Sequence, residues 1–304
     1  MKVGVLDIGS NSLRGLWGDI DENLIFRKMG ERLITTRLGE GIYLSKKLKE
    51  EAIDRTLVGL KKIYNELKDN SINEIYAFAT SAVREASDRD HFLDLIQERV
   101  GLSVEILTGE EEAFQNLLGV EVGLGIRDDY LLFDIGGGST EIVLKAGGYK
   151  LFRTFPIGAL KLKDISFNSV GEIISFLENY WQEEAFSIKL NSCRAKTFVG
   201  VGGTISALAL LKEKAAFYDM KLVHGKKLDM NWLYSILVSL SKLPSREIDS
   251  LFIFDPGRSY IILEGSLILF SLMSFFAISE IIVSETNLLW GGLVKKWGVK
   301  SFVF

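Results

Sequence analysis

Cysteine, histidine and proline are scarce in this chain of 304 residues. The single cysteine excludes an intramolecular disulfide and a cysteine zinc site, which is typical of a reducing compartment. The two histidines are too few and too far apart to form a metal pair. With three prolines and no Pro-, Ser- or charge-rich linker, the sequence predicts two halves that pack closely with a cleft between them.

An excess of basic residues is also lacking. The net charge is −4 and the isoelectric point about 5.5, which argues against a general nucleic-acid binder because such proteins usually carry a basic face. No aromatic platform with interleaved arginines suggests base stacking. We therefore expect no nucleic-acid partner, and a polyanionic ligand would have to meet a local basic patch.

One apolar run, residues 259–283, is long enough for a membrane-spanning helix. Glu264 and Glu280 interrupt it, so a buried helix followed by a buried strand is the favoured interpretation, and no membrane partner is expected. The chain starts directly on an apolar strand, MKVGVLDI, without a secretory signal pattern. The predicted location is cytoplasmic.

The pattern of apolar residues predicts an α/β protein built from two similar halves. The length favours two domains, 1–119 and 120–304, and a hydrophobic content of 47% is sufficient for two cores. Each half begins with a three-stranded meander and continues with alternating helices and strands. The predicted strands are 2–8, 13–18, 23–29, 74–80, 103–107, 130–135, 140–145, 150–155 and 279–283, with a further strand in 196–204 that runs into a third glycine turn. The predicted helices are 46–68, 89–100, 109–120, 171–189, 204–213, 229–241 and 258–278.

Two strands end in similar polar, glycine-containing loops, DIGSNS at 7–12 and DIGGGST at 134–140. Because glycine has no Cβ, such loops can turn backbone amides toward an anion, so the pair predicts a duplicated phosphate clamp; the alternative for each is an ordinary glycine turn. Asp7, Asp134 and Glu141 are hard oxygen ligands suited to Mg²⁺. The candidate phosphate-binding residues are Ser10, Asn11, Ser12, Gly136, Gly137, Gly138, Ser139 and Thr140.

Six segments occur in an order that resembles one family. They are DIGSNS at 7–12, TSAVREA at 80–86, GEEEA at 109–113, DIGGGSTE at 134–141, PIGA at 156–159 and GVGGT at 200–204. The chain resembles the exopolyphosphatase and guanosine pentaphosphate phosphohydrolase family, which shares a superfamily with actin, sugar kinases and heat-shock chaperone ATPases. The resemblance implies two duplicated actin-like (ribonuclease H-like) domains, each with a mixed sheet, and an interdomain cleft.

The resemblance also implies two catalytic residues. In the family the catalytic glutamate directly precedes the alanine of the acidic segment, which corresponds to Glu112 here, and we expect it to orient the attacking water. Arg84 would supply a planar cation for phosphate oxygens. The alternatives are that the acidic residues 110–112 only complement a helix N-terminus, and that Arg84 is a surface arginine in an exposed turn.

The chain departs from the family pattern toward its C-terminus. Arg258-Ser259-Tyr260 replaces Arg-Ala-Asp, so an expected carboxylate is missing, and Lys161 replaces an arginine. Leu289 and Trp290 occupy positions that are normally charged. We expect these changes in the second domain, where Lys161 and Arg258 would contact distal parts of a substrate.

The predicted function is hydrolysis of a terminal phosphoanhydride by Mg²⁺-assisted, in-line attack of water. Inorganic polyphosphate is the first candidate substrate and guanosine pentaphosphate the second. The alternatives are a non-catalytic phosphate or alarmone sensor on the same fold, and an ATP-dependent kinase or chaperone-like ATPase. The formation of a homodimer is left open.

Overall fold

The computed structural model describes residues 1–255 and 257–304, in which helices and strands alternate. The elements of the first part of the chain are β1 (Lys2–Ile8), β2 (Ser12–Ile20), β3 (Ile25–Thr35), α1 (Ile42–Ser45), α2 (Glu50–Asp69), β4 (Glu74–Ala79), α3 (Ser81–Glu85), α4 (Arg89–Arg99), β5 (Val104–Ile106) and α5 (Gly109–Leu124).

The second part follows the same order of a meander and then mixed elements. Its elements are β6 (Tyr130–Ile135), β7 (Thr140–Ala146), β8 (Tyr149–Phe155), α6 (Ala159–Asp164), α7 (Val170–Glu184), α8 (Phe186–Asn191), β9 (Thr197–Val201), α9 (Gly203–Lys212), α10 (Met220–Val223), β10 (Lys227–Asp229), α11 (Met230–Leu240), α12 (Ser245–Leu251), α13 (Ile262–Phe275), β11 (Glu280–Val283), α14 (Leu288–Trp297) and β12 (Ser301–Val303).

The chain forms two compact units, one of Met1–Ile126 with Thr286–Phe304 and one of Arg127–Glu285. This division differs from the predicted domains 1–119 and 120–304, since the C-terminal residues belong to the first unit. There α14 packs on α5 so closely that a Cβ on Gly291 would lie 1.7 Å from the carbonyl oxygen of Gln115. β12 pairs in parallel with β3. Contacts between residues so distant in sequence leave no trace in a local pattern.

The first unit contains a six-stranded mixed sheet in the order β12-β3-β2-β1-β4-β5. β1, β2 and β3 form an antiparallel meander, and β4 and β5 continue the sheet in parallel with β1. Helix α2 covers β2 with the apolar face that its sequence predicts, including Leu57, Leu60 and Ile63. The sheet therefore brings the end of β1 beside the end of β4, where the first glycine loop and α3 begin.

The second unit repeats this arrangement with the order β10-β11-β9-β6-β7-β8. β6, β7 and β8 form the meander, β9 runs parallel to β6, and β11 runs parallel to β9. The core includes Trp181, which is fully buried and donates a hydrogen bond from Nε1 to Ser271 Oγ at 2.8 Å. The α/β class, with a mixed sheet in each of two similar units, is confirmed.

The apolar run at 259–283 forms the 14-residue helix α13 and then the short strand β11, as predicted. Glu264 lies within α13 and is paired with Lys163 at 2.9 Å. Among the described residues, none of the helices combines the length and the apolar character that crossing a membrane requires.

Candidate active site

The first glycine loop joins β1 to β2 in the first unit. The Gly9 amide donates to the Ser12 carbonyl at 3.1 Å, which closes the loop, and Asn11 Nδ2 donates to Ser12 Oγ at 3.1 Å. Ser10, Asn11 and Ser12 are all buried, although they are polar and follow a strand end. Asp7 is the cross-strand partner of Arg14 at the end of β1. Asn11 and Ser12, two of the predicted phosphate-binding residues, are therefore ordered by bonds within the loop.

A neighbouring segment, which sequence reasoning missed, is bonded to this loop. The amides of Thr36 and Arg37 donate to the Asn11 carbonyl at 3.0 and 2.9 Å, and the Gly39 amide donates to the Ser10 carbonyl at 2.8 Å. A Cβ on Gly39 would lie 3.0 Å from the Ser10 Cβ, so glycine permits the close approach. The short run LGEG at 38–41 was the available signal in the sequence.

The three glutamates of the acidic segment lie in the first turn of α5 and have different environments. Thr108 caps the helix, since its side chain accepts from the Glu111 amide while Glu111 Oε2 accepts from the Thr108 amide at 2.8 Å. The hydrogen bonds from the backbone and side chain of Thr108 lower the pKa of Glu111 below its usual value. Glu110 and Glu111 are exposed, whereas Glu112 is only 6% exposed. Capping thus accounts for Glu111 and not for Glu112.

Within the first unit Glu112 is paired with Arg84 on α3. Arg84 Nη1 donates to Glu112 Oε2 at 3.0 Å and to the Leu107 carbonyl at 2.8 Å. The Arg84 side chain is 22% exposed. The alternative of a surface arginine in an exposed turn is wrong, and the two predicted catalytic residues are adjacent.

The second glycine loop, between β6 and β7, closes in the same way as the first. The Gly136 amide donates to the Ser139 carbonyl at 3.0 Å, so this amide points into the loop. The carbonyl of Gly137 accepts from Leu160 at 2.8 Å and from Lys161 at 3.1 Å, both in the first turn of α6. Thr140 Oγ1 donates to the Ile157 carbonyl at 2.7 Å. The hydroxyl of Thr140 therefore holds the segment before α6, and the loop is anchored on two sides.

Asp134 and Glu141 flank this loop in the second unit. They are cross-strand partners at the ends of β6 and β7, and an oxygen of each carboxylate lies within 4.8 Å of the other. Both are buried, at 8% and 1% exposure. Two buried carboxylates this close repel each other, and a divalent cation would offset that repulsion. The pair therefore fits the oxygen ligands that Mg²⁺ prefers.

The third glycine turn, at 200–204, lies against Asp134. Gly202 has φ +100°, and a Cβ there would lie 2.6 Å from Asp134 Oδ1. Only glycine combines that backbone conformation with that approach. The turn supports the carboxylate of Asp134, a role that the local sequence did not reveal.

Of the two basic residues predicted to contact distal parts of a substrate, Arg258 carries an acidic partner in the second unit. Arg258 is buried, and its Nε lies 2.9 Å from Asp255 Oδ2. Lys163 pairs with Glu264 and lies 4.9 Å from the ring centre of Tyr260. Tyr260 stands where the resemblance led us to expect a carboxylate, and Glu264 lies four residues later, in the first turn of α13. Lys161 is buried within α6.

The remaining departures from the family pattern are not in the second unit, contrary to expectation. Leu289 and Trp290 lie on α14 in the first unit and are buried. The indole of Trp290 makes edge-to-face contacts with three phenylalanines, Phe26, Phe302 and Phe304. Both side chains are packed inside the first unit, which favours a role in its core over contact with the distal part of a substrate.

Comparison with known proteins gives consistent results. A curated relative, the bifunctional 3-dehydroquinate synthase/phosphatase of Fusobacterium nucleatum, is 32% identical over 95% of this chain, which spans 46% of that protein. Exopolyphosphatase 2 of Mycobacterium tuberculosis is 26% identical over 95% of this chain and 97% of its own length. The chain thus spans about half the length of the first relative and nearly all of the second.

Solved structures extend this similarity to the fold. The crystal structure of the Ppx/GppA family member from Aquifex aeolicus matches with a TM-score of 0.78 and 30% identity, and 97% of each chain is covered. The family model described as the Ppx/GppA phosphatase family matches residues 19–298. The predicted resemblance and the two-domain actin-like fold are therefore confirmed. The chain belongs to the Ppx/GppA phosphatase family.

Proposed function

We propose that this protein is a phosphohydrolase that removes the terminal phosphate of inorganic polyphosphate, with guanosine pentaphosphate as the second candidate substrate. The observation that carries the proposal is the burial of Glu112 and its pairing with Arg84. Glu112 is a buried carboxylate at the start of α5 whose Oε2 accepts a hydrogen bond from Arg84, while its exposed neighbour Glu111 performs the capping. Family membership and the similarity to exopolyphosphatase 2 support the same reaction class.

In the proposed reaction backbone amides and hydroxyls of the glycine loops bind the terminal phosphate, except the Gly136 amide and the Thr140 hydroxyl, which donate within the second unit. Asp134 and Glu141 would hold Mg²⁺, with Asp7 as a further candidate ligand, and the cation would neutralise charge on the phosphoryl oxygens. Glu112 accepts a proton from the attacking water and orients it in line with the leaving oxygen. Arg84 holds the Glu112 carboxylate and supplies positive charge beside it.

One experiment distinguishes the two candidate substrates. Phosphate release is measured with long-chain polyphosphate, guanosine pentaphosphate and ATP at the same Mg²⁺ concentration, for the wild type and for Glu112→Gln. The proposal expects the highest kcat/KM with polyphosphate and a loss of turnover in the variant. A preference for guanosine pentaphosphate would reverse the substrate order.

The same experiment tests the other classes. Binding of polyphosphate or guanosine pentaphosphate without any phosphate release would indicate a sensor. Hydrolysis of ATP alone, or phosphate transfer from ATP to an acceptor, would place the chain among the ATPases and kinases of the superfamily. Either outcome would overturn the proposed phosphohydrolase.

A further inference from the structure

Helix α3, which carries Arg84, receives its N-terminal cap from another part of the first unit. Its own N-cap residue, Thr80, makes no side-chain capping bond. The Ala82 amide instead donates to Ser10 Oγ at 3.1 Å, across 72 residues of sequence. Ser10 belongs to the first glycine loop and is 5% exposed. The hydroxyl of a predicted phosphate-binding residue therefore acts as the acceptor for the helix.

A helix as short as α3 depends on such anchors. It has five residues, so few of its amides have a partner within the helix, and its position is decided by contacts outside it. Besides the Ser10 contact, the Thr80 amide donates to the Ile8 carbonyl at 3.3 Å, and Arg84 reaches the Leu107 carbonyl at its other end. The cap at Ala82 lies two residues before Arg84.

The backbone of Ser10 is held close to α3 by a third segment of the first unit. The carbonyl of Ser10 is held by the Gly39 amide at 2.8 Å. A Cβ on Gly39 would lie 3.0 Å from the Cβ of Ser10 and 3.3 Å from that of Ala82, so the three backbones are in close contact. The hydroxyl oxygen of Ser10 is thus presented to the Ala82 amide by the packing of three segments.

We propose that Ser10 is a positioning residue whose hydroxyl caps α3 and thereby holds Arg84 against Glu112. Its catalytic consequence rests on the proposed phosphohydrolase function, whereas the cap itself does not. This contact links the first glycine loop, which would bind phosphate, to the Arg84–Glu112 pair, which would activate water. It therefore fixes the position of one relative to the other. The competing hypothesis is that the Ser10 hydroxyl serves only as a direct ligand of phosphate.

A double-mutant cycle separates the two hypotheses, because residues that act through one another are not additive. We expect Ser10→Ala to lower kcat for polyphosphate about tenfold with KM changed less than twofold, since misplacement of a catalytic group acts on the chemical step. In the Arg84→Ala background, measured by single turnover, the same change should cost less than twofold. An equal loss in both backgrounds, or a loss confined to KM, would overturn the proposal.

Hydrogen exchange measures the cap without any turnover. In Ser10→Ala, the amides of residues 80–86 should exchange about tenfold faster, because the Ala82 amide loses its acceptor, while α5 exchanges as in the wild type. Unchanged exchange in 80–86 would show that the hydroxyl caps nothing. If the wild type releases no phosphate from any substrate, the proposed function fails, and the exchange result still decides the cap.

A matched control is Ser81→Ala on the same helix. Ser81 Oγ donates to Glu85 Oε1 at 2.8 Å, so this variant also removes a buried hydroxyl from the region without touching Ala82 or Arg84. We expect kcat within twofold of the wild type. Thermal unfolding is recorded for every variant, and a loss of kcat in Ser81→Ala equal to that in Ser10→Ala would assign both effects to general destabilisation of α3 and overturn the specific role of Ser10.

Discussion

Arg84 Nη1 lies 3.0 Å from Glu112 Oε2 and 2.8 Å from the Leu107 carbonyl oxygen, so a single nitrogen joins α3 to the start of α5. A carboxylate buried to this extent requires a partner, and the guanidinium provides one that cannot lose its charge. The contact fixes the position of the Glu112 carboxylate, and a residue that orients a water molecule needs a fixed position.

The first prediction concerns this carboxylate. Glu112→Gln keeps the shape of the side chain and removes its basicity, so kcat for phosphate release should fall by about 10²–10⁴ while KM changes little. Glu110→Gln is the control, because Glu110 is exposed in the same first turn. Wild-type turnover of the Glu112 variant would show that another group orients the water.

The acidic pair of the second unit predicts a dependence on Mg²⁺. Asp134→Asn removes one charge from a pair whose oxygens lie within 4.8 Å, so the Mg²⁺ concentration for half-maximal rate should rise, and excess Mg²⁺ should recover part of the activity. The measurement is a titration of the rate with Mg²⁺ for both proteins. Full activity in excess chelator would leave Asp134 with only a role in shaping the loop.

Arg258 tests whether a predicted substrate contact serves stability instead. Arg258→Ala leaves the Asp255 carboxylate without its partner at a largely buried position, so the free energy of unfolding should fall by about 3 kcal/mol. Arg153→Ala, on the exposed part of β8, should change stability little and serves as the comparison. A large rise in KM for long polyphosphate at unchanged stability would restore the role in substrate binding.

Trp290 tests the aromatic cluster that holds the C-terminal residues in the first unit. Trp290→Ala should lower the free energy of unfolding by about 3–5 kcal/mol, because it removes the contacts with Phe26, Phe302 and Phe304 and leaves a cavity. Urea unfolding measures the effect. Phe217→Ala, with a side chain that is 66% exposed, should have almost none.

Glu111 predicts a pH dependence of stability. Its hydrogen bonds from Thr108 favour the ionised carboxylate and lower its pKa, so their contribution is present above the usual pKa of 4.5 and is lost as the pH falls through the lowered pKa. Glu111→Ala should therefore cost about 0.5–1 kcal/mol at pH 7 and less below pH 4. Glu110→Ala leaves the capping box intact and is the comparison for the cost of Glu111→Ala at pH 7.

Local patterns predicted much of the fold. The strand 130–135 matches β6 to the residue, and the helices predicted at 89–100 and 229–241 match α4 and α11 within one or two residues. β6 is a continuous apolar run and the two helices carry apolar residues at helical spacing, and both signals are local in the sequence. The missed elements are helices α1, α3, α6, α10, α12 and α14 and strands β10 and β12, and α7 and α8 were predicted as one helix. α3 is shorter than two helical turns, so it shows no clear apolar periodicity. β12 is a strand because it pairs with the edge of β3, which is distant in sequence.

The candidate site, like the fold, was predicted from the sequence only in part. The sequence by itself determined the family, the repeated αβ architecture, and the residue types at the two loops and the acidic segment. These features depend on short runs of neighbouring residues, which can be recognised without the tertiary structure. Only the tertiary structure decided that Glu111 caps a helix while Glu112 is buried beside Arg84, that Arg258 is neutralised by Asp255, and that Trp290 belongs to a core. Burial and pairing depend on segments that meet only in the folded chain, so a pattern along the sequence cannot reveal them.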